Sequence, residues 1–369
     1  MSKRQEFETK FERVTDFLAD NDLDGVVLAT TANIAWLGCG ANTVVNAAQE
    51  TGVGTLVVTA DGVSLVSKNI ETERLETEEL EGIELTDSLT YPWYEPHRRA
   101  EIIGEIIGGG RFAADEGTCD LPGLPPEWNH LRYTLTEPEI ERYRAVGRDA
   151  STAMEEAARQ VDTGMNESEI AGLISRSYRS RGLLPAVLLV AADERIKQWR
   201  HPLPKDLQLE RYVMLVACGR RQGLVTAVTR FVHFGELTDE LRHRHDAVCE
   251  VDSRIIDATT PGRPVSDVFD VARTAYADAG FADEWQLHHQ GGAIGYEPRE
   301  YIVDPSCKET VMSPQAFAWN PSICGTKSED TVLITENGPE FITSPSEDWP
   351  GVEVQVHGTT YRRADMLVR

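Results

Sequence analysis

Lysine is scarce in this chain: only seven lysines stand against 29 arginines, while aspartate and glutamate together number 61. The resulting net charge of -25 is spread along the whole chain. It argues against nucleic acid and anionic membranes as partners, because both require a basic surface. Dispersed acid with little lysine is typical of a salt-loaded cytoplasm, so we expect a halophile's protein; a merely acidic mesophilic protein is the alternative.

Long hydrophobic runs and paired cysteines are missing as well. The longest apolar stretch, GLLPAVLLVAA, is too short to cross a bilayer, and the start, MSKRQEFETK, lacks the apolar segment of a secretory signal. The six cysteines form no CxxC pair, so we expect neither a disulfide framework nor a zinc knuckle. These features favour a cytoplasmic protein that does not bind a membrane.

Several common catalytic motifs are also absent. The sequence contains neither HExxH nor GxSxG, and its GGAIG run lacks the lysine and the Ser/Thr of a phosphate loop. No cysteine lies in an obviously activating setting. Zinc peptidase, serine hydrolase and P-loop chemistry of the usual kinds are therefore not indicated.

The length of 369 residues favours two domains. Hydrophobic periodicity predicts an α/β domain over residues 1–132, with FERVTDFLADNDL and RRAEIIGEIIGGG as helices. Its predicted strands are DGVVLAT, ANIAWLGCG, GTLVVTADGVSLVS, GIELTDSLTY and RFAADEG. The proline- and glycine-rich DLPGLPPEWNH is predicted to be the interdomain linker.

The second predicted domain covers residues 133–369. It begins with two helices, EPEIERYRAVGRDASTAMEEAARQV and NESEIAGLISRSYRSRG, followed by the strands LLPAVLLVAA, YVMLVACG and LVTAVTRFVHFG. Two more helical segments then precede a final hairpin, QAFAWNPSICGTKSEDTVLITENG. Paired helices followed by antiparallel strands, twice over, predict an α+β domain with helices backing a curved sheet.

Small residues line one face of the predicted hairpin over residues 213–232. If the turn centres near Gln222, Ala217 and Ala227 lie opposite one another, and Thr229 shares their face. They would leave a hollow beside the strands. On this pattern alone, close helix packing explains the small residues as well as a ligand site does.

Polar residues gather in the segments that follow. The final hairpin places Asn320, Lys327, Glu329 and Asp330 around a tight connection between apolar runs. Such residues are also common in ordinary turns. The segment RHPLP fixes His201 between an arginine and two prolines, where a structural role is the commoner one for a lone histidine.

The stretch LHHQGGAIGYEPRE, residues 287–300, has the densest polar content. Because neighbours on a strand point to opposite faces, His288 and His289 are not expected to ligate one ion without a bend. The glycines allow the backbone to approach a ligand closely. Glu297, Arg299 and Glu300 would then lie at the mouth of the site.

The order of these segments resembles the creatinase, aminopeptidase P and methionine aminopeptidase family, whose catalytic domain has the pita-bread fold. The resemblance lies in LDGVVLATTANIAWLGCG, EPEIERYRAVGRDA, HPLP, LVACG, GLVTAVTRF, HHQGGAIG, AFAWNPSI and SEDTVLIT. It implies a C-terminal pita-bread domain preceded by a smaller creatinase-like α/β domain. It also implies a homodimer, since family members commonly pair through the N-terminal domain.

The metal ligands of that family are largely missing here. Its metal-using members hold two ions with two aspartates, a histidine and two glutamates. The matching positions are Ala217, Ala227, Gln290, Asn320 and Glu329. His289 is the alternative to Gln290 for the histidine. Alanine offers no ligand atom, and neutral amides replace anionic ligands poorly, so we expect no catalytic metal and no cofactor.

Creatinase itself shows that the fold can hydrolyse a C–N bond without metal, using a histidine and substrate-binding carboxylates. The matching residues here are His201, as general base or proton shuttle, and Glu329, which would hold a cationic group or orient water. The resemblance implies further substrate contacts from Arg230, His288, His289, Gln290, Glu297, Arg299, Asn320 and Lys327.

The expected function is therefore that of an Xaa-Pro aminopeptidase- or creatinase-like hydrolase, acting without metal on a small peptide, amide or amidine. A catalytically inactive pita-bread protein that binds a small ligand is the second hypothesis. A metal-dependent Xaa-Pro aminopeptidase is the third.

Overall fold

The computed structural model describes residues 1–117 and 119–369, which divide into two compact units. One unit comprises Met1–Arg132 and Thr136–Ile140, and the other Tyr133–Leu135 and Glu141–Arg369. Within the described residues, no helix combines the length and the apolar character needed to cross a membrane.

The N-terminal unit contains one mixed sheet and its helices. In chain order these are α1 (Lys3–Asp20), β1 (Gly25–Thr30), α2 (Thr31–Leu37), β2 (Thr51–Thr59), β3 (Gly62–Lys68), α3 (Thr72–Arg74), a π-helical turn (Leu75–Glu79), β4 (Asp87–Tyr91), α4 (Arg98–Ile107) and β5 (Phe112–Ala114). The strand order is β4-β3-β2-β1-β5. Strand β2 pairs antiparallel with β1 and β3, and the two outer strands join in parallel. The sheet and its helices agree with the predicted α/β class.

The segment ANIAWLGCG is the helix α2, and its prediction as a strand is wrong. Thr30 begins the helix, because its side chain accepts a hydrogen bond from the Asn33 N–H. Every residue of α2 is buried. A helix that is buried on all sides shows no 3.6-residue alternation of exposed polar and buried apolar residues, so its sequence resembles a buried strand.

The predicted linker is part of the N-terminal unit's core. Residues Pro126–Asn129 form a 3-10 turn that inserts Trp128 edge-on against Phe17 and Trp36. The Trp128 indole also donates a hydrogen bond to Asn33 Oδ1 (3.0 Å). Proline and glycine here shape a packed turn, and they do not mark an exposed connection.

The remaining elements form the C-terminal unit, apart from the first residues of the long helix α6 and most of α5. They are α5 (His130–Tyr133), α6 (Glu137–Gln160), α7 (Glu167–Arg179), β6 (Leu184–Ala192), α8 (Glu194–Gln198), β7 (Tyr212–Arg221), β8 (Leu224–His233), α9 (Asp239–Ala258), α10 (Val265–Asp278), a 3-10 turn (Glu284–Leu287), β9 (Gly291–Ala293), β10 (Tyr301–Ile302), β11 (Gln315–Trp319), β12 (Ser322–Ile323), β13 (Thr326–Lys327), β14 (Asp330–Thr335), β15 (Gly338–Phe341), β16 (Gly351–Val356), β17 (Thr359–Ala364) and β18 (Leu367–Val368).

Two sheets of this unit meet where the polar segments converge. One has the strand order β18-β8-β7-β6 and the other β10-β9-β11-β14-β15. Helices α9 and α10 back the second sheet through an apolar core that includes Val251, Phe269 and Phe317. The Thr229 N–H of β8 donates to the Glu329 carbonyl just before β14 (3.2 Å), so Glu329 lies at the junction of the sheets.

The register of β7 and β8 differs by one residue from the prediction. The turn residues Gln222 and Gly223 both have positive φ (51° and 79°), as a two-residue type I′ turn requires. Ala217 therefore pairs with Val228, and Ala227 pairs with Cys218. Since directly paired residues share a face and neighbours alternate, Ala217 and Ala227 point to opposite faces.

A tight glycine bend follows the histidine pair. Gly291 has φ +103°, and a side chain there would collide with the Ala318 carbonyl of the adjacent strand. A side chain at Gly292 would collide with the Tyr301 carbonyl on the other side. Strand β9 thus fits between its neighbours only without side chains, and it fixes where the two preceding histidines lie.

Candidate active site

A cavity of about 350 Å³ opens beside β6 and β7 in the C-terminal unit. Its apolar wall consists of Val187, Leu189, Val216, Cys218 and Pro298. The first four form two directly paired sets across the strands, Val187 with Cys218 and Leu189 with Val216, so they share one face of the sheet. This wall favours an apolar portion in whatever the cavity holds.

The opposite side of the cavity is polar. It is lined by His201, His289, Arg299, Asn320, Lys327 and Glu329. These are six of the ten residues that the sequence marked as catalytic or substrate-binding. They come from four separate segments of the chain, so only the fold brings them together.

Glu329 is the one carboxylate among the residues that line this cavity, and protein cations hold it. Its Oε2 accepts from Lys327 Nζ (2.8 Å) and from the Thr229 hydroxyl (2.6 Å). Its Oε1 lies 3.4 Å from a guanidinium nitrogen of Arg299. Glu329 and Lys327 are 3% and 4% exposed, so the pair is almost fully removed from water.

The charges of this group keep Glu329 ionised. Burial pushes its pKa up, but the charges of Lys327 and Arg299 and the hydrogen bonds from Lys327 and Thr229 outweigh burial and lower it. One carboxylate and two cations leave the cavity with one excess positive charge. The expected role of Glu329 as holder of a cationic substrate group is thus already filled by side chains of the protein.

Three imidazoles meet at the mouth of the cavity. His201 Nε2 lies 3.1 Å from His288 Nε2, and one ring nitrogen from each of His201, His288 and His289 falls within 4.8 Å of the others. The bend at Gly291 brings the adjacent histidines to one place. The sequence predicted that the two histidines could share one ion only where the backbone bends, and the bend at Gly291 meets that condition.

One assignment of tautomers accounts for the contacts of this cluster. Asn320 Nδ2 approaches His288 Nε2 (3.4 Å), and an amide nitrogen can only donate. His288 Nε2 therefore accepts, and His201 Nε2 donates its proton to the same atom. His288 Nδ1 then donates to the Ser322 hydroxyl (3.0 Å), and His201 keeps its lone pair on Nδ1.

The three imidazoles are uncharged near neutral pH. Burial, followed by the charge of Lys327, lowers the pKa of His201. Burial and then Arg299 lower the pKa of His289 to about 4, and burial holds the pKa of His288 far below its ordinary value. Neutral imidazole is the form that accepts protons and binds metal ions.

Three polar atoms beside the cavity have no partner within residues 1–117 and 119–369. They are Arg299 Nε, Asn320 Oδ1 and His289 Nδ1, all buried. A buried polar atom without a hydrogen bond costs free energy. Their grouping around one cavity indicates a ligand that supplies acceptors to Arg299 and a donor to Asn320.

Four predicted substrate contacts do not line the cavity. Arg230 is fully buried and binds Asp330 (3.0 Å) and the Thr343 carbonyl (3.1 Å), so its role is structural. The Gln290 amide is occupied by Tyr276 and by backbone carbonyls. Glu297 is half-buried outside the cavity wall. The fourth residue not lining it, His288, lies directly behind His201.

Cys218 and Thr229 are site residues that sequence reasoning missed. The one-residue error in register assigned the cavity face to Ala217, whereas Val216 and Cys218 occupy it. The two positive-φ turn residues were the signal for the correct register. Burial raises the pKa of the Cys218 thiol to about 11, so it contributes an apolar surface and no thiolate nucleophile.

Comparison with known proteins identifies the family. Residues 141–336, more than half of the chain, match the model of metallopeptidase family M24. Every cavity-lining residue falls in that segment. The chain belongs to metallopeptidase family M24.

Individual relatives of this M24 chain are distant. An uncharacterized peptidase of Staphylococcus haemolyticus is 26% identical over 222 residues, which are 58% of this chain and 63% of that protein. The Xaa-Pro dipeptidase of Pyrococcus furiosus is 22% identical over 358 residues, covering 92% and 99% of the two chains. The chain therefore spans less than two thirds of the first and nearly all of the second.

The fold is shared with solved structures. The prolidase from Pyrococcus horikoshii superimposes with a TM-score of 0.77 at 18% identity, over 92% of this chain and 99% of that one. The predicted family and the two-part architecture with a C-terminal pita-bread domain are confirmed. Identity at this level establishes the fold and leaves the chemistry to the residues of the site.

The donor set of this M24 chain does not fit a two-metal carboxylate centre. Strand β7 presents Val216 and Cys218, Ala227 lies opposite Cys218, and Asn320 offers a neutral amide. The remaining carboxylate, Glu329, is bound by two protein cations. Metal pairs of this kind depend on bridging carboxylates to balance their charge, and the one carboxylate of this cavity is already neutralised by an ammonium and a guanidinium group.

Proposed function

We propose that this M24 protein hydrolyses a C–N bond of a small peptide, amide or amidine without a two-metal centre. One observation carries the proposal: both oxygens of Glu329 are engaged by Lys327, Arg299 and Thr229. The cationic charge that metals supply elsewhere in the family is here part of the protein. His201, at the open side of the same cavity, is the proposed general base.

In the proposed reaction, His201 Nδ1 accepts a proton from a water molecule as the water oxygen adds to the substrate carbon. The same imidazolium then gives that proton to the leaving nitrogen as the C–N bond breaks, so one water is consumed. Lys327 has three N–H donors, and Glu329 uses one of them. The others are available to stabilise the negative charge that develops on the attacked group.

The excess positive charge favours a substrate with one carboxylate. Arg299 makes one long contact to Glu329 and one to its neighbour's carbonyl, so its Nε–H remains for a ligand. Guanidinium groups recognise carboxylates in two-point geometry. An apolar group beside Val187 and Val216 would complete the fit, as in a short peptide or an N-acylated amino acid.

Turnover after removal of metal ions is the direct test. Protein treated exhaustively with chelator in high potassium chloride would be incubated with Xaa-Pro dipeptides, N-acyl amino acids and guanidino acids, with products followed by mass spectrometry. We expect turnover to persist in chelator, because the proposed base and cations are side chains. The exposed His97 supplies a control variant, His97→Ala, which should retain it.

Two results would contradict the proposal. Activity that appears only after manganese, cobalt or zinc is added would favour the metal-dependent Xaa-Pro aminopeptidase. A ligand that raises the melting temperature without giving product would favour the inactive binding protein. The binding-protein hypothesis explains the unpartnered atoms equally well, but it does not require a proton acceptor at His201.

The charge composition predicts salt-dependent stability. A net charge of -25 repels itself in the folded state, and salt screens that repulsion over about 10 Å at 0.1 M and about 3 Å at 1 M. We expect the melting temperature to rise steadily from 0.1 M to molar potassium chloride. A flat response in calorimetry would contradict the proposed salt-loaded environment.

We also propose that the protein is a homodimer. The proposal extends the pairing of family members through their N-terminal domains. Light scattering in high salt tests it, and a mass of one chain, 41.0 kDa, would overturn it.

A further inference from the structure

We infer that His201, His288 and His289 form a binding site for one transition-metal ion of the zinc, cobalt and nickel class, and that occupancy of this site inhibits the enzyme. The site differs from the family's carboxylate centre, because all three donors are imidazoles. Its existence does not depend on the proposed function. The inhibition does rest on that function, through His201.

The separation of the donors suits one ion. With metal–nitrogen bonds of about 2.0–2.1 Å, nitrogens 3.1 Å apart subtend roughly 100° at the metal, which is close to tetrahedral. The third donor lies within 4.8 Å of both. His201 is exposed and belongs to the loop after α8, so one of the three donors faces solvent, where a fourth ligand of the ion could bind.

The surroundings orient one ligand and leave a ring nitrogen of another available. His288 donates from Nδ1 to Ser322, which leaves a lone pair on Nε2, as metal-binding histidines with an outer hydrogen-bond partner generally have. His289 Nδ1 is buried and has no partner among the described residues. Two ring nitrogens 3.1 Å apart share one hydrogen, here the N–H of His201, and a metal ion bound between them would take the place of that hydrogen.

The donors also select the metal. Three imidazoles favour zinc, cobalt, nickel and copper over magnesium, calcium and manganese, which prefer oxygen. Lys327 and Arg299 add positive charge beside the cluster and weaken binding of any dication. A bound ion would therefore retain hydroxide or another anion in its open position, for charge balance.

Inhibition follows from the tautomer of His201. Its Nε2 carries a proton and its Nδ1 the lone pair in the metal-free cluster. Binding a metal through Nε2 moves the proton to Nδ1 through solvent, so the imidazole stays neutral overall. The lone pair that would accept the proton from water is then lost.

Cobalt(II) absorption tests the site without reference to activity. Protein made without a polyhistidine tag would be freed of metal and titrated with cobalt(II) alone. We expect the intense visible bands of a four- or five-coordinate ion, saturating at one cobalt per chain. His288→Ala and His289→Ala should weaken binding by at least about 100-fold, the upper end of what losing even an outer-shell partner costs.

His201→Ala provides the same test at an exposed position, should the buried variants fail to fold. The matched control, His97→Ala, removes one exposed imidazole outside the cluster and should bind cobalt like the unaltered protein. Weak bands, or bands equally strong in the cluster variants, would overturn the site.

Turnover measurements test the proposed inhibition. Stoichiometric cobalt or zinc should abolish turnover, chelator should restore it, and manganese at the same concentration should leave it unchanged. Turnover that is indifferent to bound cobalt would overturn the inhibition while the spectrum still supports the site. An inactive protein that shows the bands would instead contradict only the proposed function.

Discussion

Replacing His201 by alanine is expected to lower kcat by about 10²–10⁴-fold, the range that general acid–base catalysis supplies. The side chain is exposed and, among the residues that the structure describes, it hydrogen-bonds directly to His288 alone, so the fold should be unaffected. The measurement is the rate of C–N hydrolysis by chelated enzyme at saturating substrate. Thermal unfolding of the same sample would establish that the variant is folded.

The pH profile separates loss of a base from loss of binding. Because the pKa of His201 is lowered, the acid limb of kcat/KM in the unaltered enzyme should lie below the ordinary histidine value of about 6.5. Rates should rise with pH through that limb and then level off. A His201→Ala variant with an unchanged kcat and profile would exclude His201 as the base.

Replacing Lys327 by methionine is expected to destabilise the fold by about 3–5 kcal/mol, as removal of one partner from a buried ion pair does. Glu329 would keep a buried charge with only Arg299, 3.4 Å away, and the Thr229 hydroxyl. Urea unfolding measures the loss as a shift of the midpoint at constant slope. The double variant Lys327→Met/Glu329→Gln should recover part of it, since the buried carboxylate is then neutral and the remaining cation, Arg299, is partly exposed.

An exposed pair on the same unit supplies the control. Lys197 lies 2.7 Å from Glu194, nearly the distance of the buried pair, but the two side chains are 47% and 73% exposed. Lys197→Met should therefore cost less than about 1 kcal/mol. Equal effects of the two lysine substitutions would mean that water reaches Glu329 in solution.

Much of the fold could be predicted because its elements repeat with clear periods. The helices α4, α6 and α7 follow the apolar spacing, and Asn166 caps α7 through a capping box with Glu169. The turn between β2 and β3 lies in the segment TADG, whose residue types are typical of a hairpin turn. The prediction failed for α2, whose residues are all buried. Without an exposed face, its hydrophobic pattern has no helical period that would distinguish it from a strand.

The site was harder to predict because side-chain direction depends on backbone details that composition hides. A turn centred half a residue later than expected moves the cavity face from Ala217 to Cys218. Arg230 was predicted to bind substrate, but the fold pairs it with the buried carboxylate of Asp330. Gln290 matched the family's histidine in order along the chain, yet its amide points into the protein toward Tyr276.

The glycine bend at β9 also limits where metal-binding side chains could be introduced. The Gly291 and Gly292 positions admit no side chain, so a metal-binding side chain cannot be introduced there by substitution. Acidic side chains introduced at Val216 and Ala227 would encounter the ammonium group of Lys327, which lines the cavity. A carboxylate introduced alone would therefore be bound by a protein cation, as Glu329 is, and would not by itself create a two-metal centre.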